Sequence, residues 1–251
     1  MMRGLKEVRD MYDFKKSKET IISILNSPTK IVKKDKIPAS DGEFTYSNGI
    51  KTWVGALFVD IVDSSKLFAD ANEDTARIMR SFCSEIIAIL KDDPNYREIG
   101  IRGDCVYCVY SAQYQEDLVK IFRHAYRINS FMEMLNKLLH KNGYPQICAG
   151  IGLGCDEELI IKVGQSGSGI NDKIWIGKAV VDAAHLSDKA NRDGIRAIAM
   201  SPVFYDNISE KLFKENENYR DWIIPDSYYA PEFYHCDIIE TGFSNWIEKE
   251  V

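Results

Sequence analysis

A short apolar segment that ends in a carboxylate constrains the fold of this chain more than any other feature. Residues 53–60 read WVGALFVD, and no charged side chain interrupts them before Asp60. A run of this length is short for a helix, and its bulky and β-branched residues favour a buried strand. The sequence therefore predicts a sheet that contains this segment, with Asp60 at the end of the strand.

Helical periodicity and turn residues predict the elements around this strand. Gly103 and Asp104 are a two-residue hairpin signal between two apolar segments. The predicted elements are, in order, a helix at 4–26, an irregular arm at 27–50, strand 53–60, helical residues 67–89, strands 96–102 and 105–112, helix 114–141, strands 146–154 and 158–164, a loop at 165–173, helix 177–192, strand 195–200, a helix at 202–214 and strand 233–239. This order predicts an α+β fold whose helices cover one face of the sheet.

Composition limits the partners that we expect for the protein. The formal net charge is −6, which argues against nucleic-acid binding because that requires a basic surface. No apolar run approaches the roughly 20 residues of a membrane span, and the first residues have no signal-peptide core. We therefore expect a cytoplasmic protein that binds neither nucleic acid nor a membrane.

The six cysteines do not form the pattern of a zinc site. Cys105 and Cys108 stand three positions apart in a predicted strand, so their side chains point to opposite faces. No second pair of Cys or His residues completes a tetrahedral site. We predict buried, reduced thiols.

Asp60 and Asp104 are the candidates for metal binding. Asp60 ends the apolar strand, and Asp104 occupies the tip of the first hairpin. If the hairpin pairs beside that strand, the two carboxylates converge, as Mg²⁺ or Mn²⁺ requires beside substrate phosphates. Ser64 and Ser65 follow at a predicted helix start, whose free N–H groups favour phosphate. The alternative is that Asp60 caps a helix and Asp104 only forms a turn.

Five segments carry a resemblance to a known family. They are 59–65 (VDIVDSS), 101–104 (IRGD), 149–154 (AGIGLG), 162–164 (KVG) and 174–184 (IWIGKAVVDAA). In this order they resemble the motifs of class III adenylate and guanylate cyclases, over about residues 53–240. The resemblance implies a catalytic domain at 51–251 after an N-terminal helix and arm at 1–50. It also implies a ferredoxin-like, antiparallel-rich sheet with helices packed on it, in a head-to-tail homodimer.

The resemblance further implies that the protein cyclises a nucleoside triphosphate with two divalent cations, Mn²⁺ or Mg²⁺. The residues that it implies are, for the metals, Asp60, Ile61 through its carbonyl and Asp104, and, for the phosphates, Asp63, Ser64 and Ser65. Each active site would lie across the two-fold interface, and the 177–192 helix would come from the other subunit.

The departures from the family concern recognition of the base and of the transition state. Purine cyclases carry a Lys or Glu four residues before the second metal Asp, where this chain has Gly100. A second base-reading position falls near Ile174. The Asn and Arg that contact the ribose and the transition state in the family correspond to Val181 and His185.

Helical spacing selects the candidate catalytic residues in the 177–192 helix. Lys178, His185 and Lys189 share one face and are the candidates to meet phosphate. The alternative is a solvated stripe in which charges four residues apart pair with one another.

Without the purine-reading pair, the chain is similar to the bacterial pyrimidine cyclases of antiphage defence. These enzymes make cyclic UMP or cyclic CMP, which signals to a separate effector protein. The resemblance implies UTP as the favoured substrate and CTP as the second. The predicted base pocket consists of Phe58, Gly100, Arg102, Ile174 and Trp175, with Tyr107 as a further bulky neighbour.

Three other functions stay open on the sequence alone. The chain could be an adenylate or guanylate cyclase. It could also be a catalytically inactive cyclase-homology domain, which the missing Asn and Arg favour and the two metal carboxylates oppose. A diguanylate cyclase would require Glu-Phe after Gly103 and Asp104, where Cys105 and Val106 stand.

Overall fold

The computed structural model describes residues 12–251. Helix α1 spans Phe14–Asn26 and begins after Asp13, whose side chain accepts hydrogen bonds from the Lys15 and Lys16 amides. The predicted N-terminal helix is therefore confirmed from residue 14 onward, and its residues 4–11 lie outside the described part of the chain.

Nine strands of the described residues form one sheet. They are β1 (Lys30–Lys33), β2 (Asn48–Ile61), β3 (Tyr96–Arg102), β4 (Cys105–Ser111), β5 (Ala149–Gly164), β6 (Asn171–Ile176), β7 (Ile198–Met200), β8 (Ile224–Pro225) and β9 (Tyr234–Cys236). The order is β3-β4-β2-β5-β7-β9-β8, with β1 beside β2 and β6 beside β5. Only the β1–β2 and β5–β7 pairs are parallel, so the predicted α+β fold with an antiparallel-rich sheet is confirmed.

The remaining helices follow the strands along the chain. They are α2 (Ser64–Leu67), α3 (Glu73–Leu90), α4 (Gln115–Lys141), α5 (Ala179–Lys189), α6 (Pro202–Glu215), α7 (Tyr219–Trp222) and α8 (Thr241–Glu250). In the described part of the chain, no helix combines the length and the apolarity that crossing a bilayer requires.

The predicted central strand is confirmed as part of β2, which pairs with β4 on one side and β5 on the other. Because side chains alternate along a strand, Leu57 and Val59 face the main core beneath α3, α4 and α6, whereas Ala56 faces the opposite side. Full burial of these side chains explains why the segment is apolar on both faces.

The prediction that helices cover only one face of the sheet is wrong for α5. Its Ala179 and Ala183 side chains belong to a second core, which lies on the opposite face from α3 and α4. Gly150, Gly152 and Gly154 of β5 lie beneath this helix, and a Cβ atom at any of the three would come within 2.2 Å of an α5-region carbonyl oxygen. The absence of side chains at these three positions therefore lets the helix backbone contact the sheet.

Long-range pairing overrides several boundaries that local patterns predict. The two strands predicted at 146–154 and 158–164 are the single strand β5, which stays extended because residues 149–161 pair continuously with β2. The predicted arm at 27–50 contains β1 and the start of β2, and the predicted loop at 165–173 contributes its last residues to β6.

Smaller differences concern helix ends and cysteines. The helical residues predicted at 67–89 form two helices, because Asn72 caps a new helix by accepting a hydrogen bond from the Thr75 amide. Helices α7 and α8 and strand β8 have no counterpart in the prediction. All six cysteines are free, but only Cys108, Cys155 and Cys236 are buried as expected, whereas Cys83 and Cys105 are half-buried and Cys148 is exposed.

We expect Gly152→Ala to destabilise the protein by about 1–3 kcal/mol, a typical cost of overpacking. The added Cβ would lie 2.0 Å from the Ala183 carbonyl oxygen, so that α5 has to move. Urea unfolding measures the change in the free energy of unfolding. Gly242→Ala is the matched control, because no atom lies within 4 Å of its Cβ position. A Gly152→Ala protein as stable as the wild type would contradict the close approach of α5.

Candidate active site

The structure brings Asp60 and Asp104 to the same end of the sheet. Asp60 lies one residue before the end of β2, on the face that α5 covers, and Asp104 follows Gly103 in the turn between β3 and β4. Gly103 has a φ of 61°, which glycine adopts without steric cost. Burial and the nearby charge of Asp104 raise the pKa of the Asp60 carboxyl. The two carboxylates are therefore close enough for the charge of Asp104 to affect the pKa of Asp60.

Arg192 is the cationic partner of Asp60, and the sequence did not single it out. Its Nη2 donates to Asp60 Oδ2 at 2.9 Å and to the Ile61 carbonyl at 3.2 Å. The Asp60 and Arg192 side chains are only 20% and 22% exposed. The Asp60 carboxylate and the Ile61 carbonyl therefore both face the Nη2 atom of Arg192, at a point where a positive charge is stabilised.

The oxygen atoms at this point fit a hard divalent cation. Carboxylates and carbonyls are the ligands that Mg²⁺ takes, usually with substrate phosphates completing the coordination. Within residues 12–251, no group of three or more His, Cys, Asp or Glu side chains converges as a site made of protein ligands alone would require. Asp60, Asp104 and the Ile61 carbonyl offer oxygen donors of the kind that a divalent cation takes beside a triphosphate.

The loop after β2 is shorter and more constrained than predicted. Asp63 adopts a left-handed conformation with a φ of 56°, and its carboxylate pairs with Lys66 at 2.6 Å. That hydrogen bond lowers the pKa of Asp63. Ser64 and Ser65 begin a helix of only four residues, so the helix dipole that the sequence suggested is limited to a single turn.

An aromatic ring fills the part of the predicted pocket that lies beside Gly100. A Cβ atom at Gly100 would lie 2.4 Å from the Tyr107 ring, which stacks on Phe58 with centroids 5.0 Å apart. The Tyr107 hydroxyl donates to Glu98 at 2.8 Å. Burial and Glu98 raise the pKa of Tyr107 to about 12, although Arg102 acts in the opposite direction.

Ile174 and Trp175 lie far from this half of the pocket within one chain. Phe58 pairs with Gly152 of β5, whereas Trp175 pairs with Ile160, eight positions further along the same strand. At roughly 3.3 Å per residue this separation is about 26 Å. A single chain therefore does not bring the five predicted pocket residues together.

Helix α5 presents its predicted polar stripe to the outside. Lys178 and His185 are exposed. Lys189 instead packs over the Phe233 ring at 5.4 Å and lies 3.8 Å from the Glu232 carboxylate. Of the three residues, Lys189 therefore contacts the C-terminal segment through Phe233 and Glu232, whereas Lys178 and His185 do not.

Two carboxylates of β5 cap the start of α5, which the sequence also did not single out. Glu158 Oε1 accepts from the Val180 amide at 3.1 Å, and Asp156 Oδ2 accepts from the Lys178 amide at 3.2 Å. Glu158 is fully buried, and burial raises its pKa to about 7. The available signal was the acidic run at 156–158 inside an otherwise apolar strand. Such charges require buried partners.

The chain is similar in sequence to two known enzymes, although no protein-family model matches it. A uridylate cyclase from Treponema porcinum is 41% identical over 241 residues, which cover 95% of this chain and 82% of the relative. A uridylate cyclase from Gulbenkiania mobilis is 28% identical over 255 residues, which cover 95% of this chain and 96% of the relative.

Solved structures share the fold at lower identity. The adenylyl cyclase CyaB from P. aeruginosa matches with a TM-score of 0.59 and 16% identity, over 75% of this chain and 95% of that one. A class III adenylyl cyclase-like ATP-binding protein from Pseudomonas aeruginosa matches with a TM-score of 0.67 and 16% identity, over 94% of this chain and 48% of that one. These likenesses show the fold of the domain that carries the site.

We expect Glu158→Gln to reduce the change in the free energy of unfolding between pH 4.5 and 7. The pKa of Glu158 is about 7 in the folded protein and 4.5 as a free side chain, so the folded state binds the proton more tightly. Its contribution to stability is therefore present below pH 4.5 and is lost as the pH rises toward 7, by at most about 1.4 kcal/mol per pH unit. Glutamine does not titrate in this range.

Urea unfolding between pH 4.5 and 7 measures this difference. Glu157→Gln is the control, because Lys33 and Lys51 lower the pKa of that neighbouring carboxyl. The Glu157→Gln protein should retain the Glu158 contribution. Identical pH profiles for the wild type and Glu158→Gln would refute the buried cap.

Proposed function

This chain belongs to the uridylate cyclase family, and we propose that it converts UTP into 3′,5′-cyclic UMP and pyrophosphate, with CTP as its second substrate. It is a nucleotide cyclase with the class III cyclase fold. The choice of base rests on one observation, the Tyr107 ring that lies over Gly100.

This ring favours a pyrimidine for two reasons. Gly100 offers no side chain to read a purine edge, and Tyr107 with Phe58 occupies the space that a second ring would need. A purine buried there would leave donors and acceptors unpaired, at about 1–3 kcal/mol each. A pyrimidine is smaller and can stack beside the aromatic pair.

Asp60, Asp104 and the Ile61 carbonyl are the residues that would hold two divalent cations, Mn²⁺ or Mg²⁺. Ions bound there would supply activation of the ribose 3′-hydroxyl and stabilisation of the departing pyrophosphate. The protein's own part is to fix the carboxylates at the ends of two paired strands, so that the 3′-oxygen and the α-phosphorus meet in one orientation. Attack by the 3′-oxygen on the α-phosphorus forms the new P–O bond. The bond from the α-phosphorus to the oxygen that bridges to the β-phosphate breaks, and pyrophosphate leaves.

A homodimer with shared active sites completes this arrangement. Asp60, Asp104, Gly100 and Tyr107 lie toward one end of the sheet, whereas Trp175 lies about 26 Å from the level of Phe58 along β5. A head-to-tail second copy brings the two halves together, and isologous pairing generates two equal sites. Exposed Ile174 and Val181 are apolar residues that such an interface would cover.

The phosphates require positive partners from the second copy. Lys178 and His185 are exposed on α5 and fit this role, whereas Lys189 is held by Glu232 and Phe233 and fits it less well. In the chain that supplies Asp60 and Asp104 to the same site, the candidates for phosphate binding are the Ser64 and Ser65 amides, together with Asp63.

The cyclic product would act as a second messenger in bacterial antiphage defence, read by a separate effector protein. This part of the proposal is supported by the resemblance to the bacterial pyrimidine cyclases. It also agrees with Gly100, which stands where purine cyclases carry a Lys or Glu.

Incubation of the purified protein with each of the four ribonucleoside triphosphates and Mn²⁺, followed by mass spectrometry, tests the substrate. We expect UTP to be best and CTP second, with ATP and GTP at least about tenfold lower in kcat/KM, equivalent to about 1.4 kcal/mol. Asp104→Asn is the control and should lose turnover by several orders of magnitude while remaining folded. Efficient formation of cyclic AMP or cyclic GMP without a pyrimidine product would overturn the proposal.

Mixing two damaged chains tests the shared site. Asp60→Asn and His185→Ala should each be inactive alone, and a 1:1 mixture should recover roughly a quarter of wild-type activity, because half of the dimers carry one intact site of two. The controls are the two single variants at the same total concentration. No recovery in a mixture shown to contain hybrid dimers would argue against sites built from both chains.

A further inference from the structure

The guanidinium of Arg192 lies on two of the oxygen groups that are assigned to the metals. Its Nη2 atom donates both to Asp60 Oδ2 at 2.9 Å and to the Ile61 carbonyl at 3.2 Å. A guanidinium is always protonated and cannot accept a hydrogen bond. Arg192 is therefore a fixed positive charge at this point.

The other side of the same guanidinium binds the end of α5. Nη1 donates to the Ser187 carbonyl at 3.0 Å and to the Ala190 carbonyl at 3.2 Å. Carbonyls in the last turn of a helix have no partner within the helix. Arg192 thus links the C-terminal turn of α5 to the end of β2 through one planar group.

The conformation and contacts of the neighbouring residues fix the position of Arg192. Asn191 and Asp193 on either side adopt left-handed conformations, with φ values of 60° and 51°. The Asn191 side chain donates to the Ala149 carbonyl at 3.1 Å, and Ala149 is the pairing partner of Ile61 in the sheet. The loop is thereby attached to β5, which pairs with the end of β2 that carries Asp60 and Ile61.

A divalent cation and this guanidinium compete for the same atoms. Both require the Asp60 carboxylate and the Ile61 carbonyl, and two positive groups on the same oxygens repel each other strongly where the surroundings are partly buried. A buried carboxylate without any counter-charge is costly. Either cation stabilises the Asp60 carboxylate, and the presence of one weakens the binding of the other.

We propose that Arg192 is a positioning residue that holds Asp60 and Ile61 as a preformed pair of ligands and is displaced when a divalent cation binds them. Displacement also frees the Ser187 and Ala190 carbonyls, so that cation binding at Asp60 loosens the C-terminal turn of α5. The inference rests on the proposed assignment of Asp60 to metal binding. It adds that metal affinity is set by competition within the chain, and that occupancy of the metal site is coupled to the helix proposed to serve the partner's site.

Arg192→Met in the full-length protein tests this competition, with Mn²⁺ alone as the probe. Electron paramagnetic resonance titration measures free and bound Mn²⁺ without any substrate. We expect the Arg192→Met protein to bind Mn²⁺ at least about tenfold more tightly, because no guanidinium has to leave. Arg192→Lys keeps the charge but cannot bridge Asp60 Oδ2 and the Ile61, Ser187 and Ala190 carbonyl oxygens. Its affinity for Mn²⁺ should lie between those of the wild type and the Arg192→Met protein.

Thermal unfolding with and without Mn²⁺ gives a second readout. The Arg192→Met protein should unfold at a lower temperature than the wild type in the absence of Mn²⁺, and added Mn²⁺ should raise its midpoint by more than it raises that of the wild type. Arg196→Met is the matched control, because Arg196 donates to the Trp222 carbonyl and not to the metal oxygens. It should leave Mn²⁺ affinity unchanged. If Arg192→Met does not fold, the Arg192→Lys titration decides the question alone.

The outcomes separate this inference from the proposed function. Unchanged or weaker Mn²⁺ binding in a folded Arg192 variant, together with normal UTP turnover by the wild type, overturns the inference and leaves the cyclase assignment intact. A wild type that neither binds Mn²⁺ nor turns over UTP overturns both.

Discussion

The contact between the backbone of α5 and the three glycines of β5 is the constraint on which the rest of the site depends. Gly150, Gly152 and Gly154 let the helix lie at backbone distance from the sheet. Because the helix runs along β5, its first turn reaches Glu158 and its last turn reaches the level of Asp60. The spacing of these glycines therefore fixes which residues meet at each end of the helix.

Each end of α5 is held by a charge that was not evident from local pattern. At the start, Asp156 and Glu158 accept hydrogen bonds from amides that have no partner within the helix. At the other end, Arg192 donates to the carbonyls and to Asp60. The helix is thus stabilised by groups of the sign that its dipole favours at both ends.

Much of the fold could be predicted, because most of its elements are encoded by neighbouring residues. The β3–β4 hairpin, with its turn at Gly103, and the apolar segment of β2 have local signatures that the structure confirms. The continuity of β5 through residues 156–158 could not be predicted, since acidic runs usually indicate turns and only pairing with β2 keeps this one extended. The positions of Asp60 and Asp104 at strand ends could be predicted from local pattern, whereas the Arg192 contact joins residues 132 positions apart and left no local trace.

The packing of Tyr107 across Gly100 has a consequence for how this enzyme can evolve. A side chain at position 100 would overlap the Tyr107 ring, whose atoms lie 2.4 Å from the Cβ position. A lysine or glutamate at position 100 therefore requires the Tyr107 ring to move or to be replaced, and a smaller residue at position 107 loses the stacking on Phe58. The side chains at positions 100 and 107 are therefore coupled, so that a substitution at one position changes the effect of a substitution at the other.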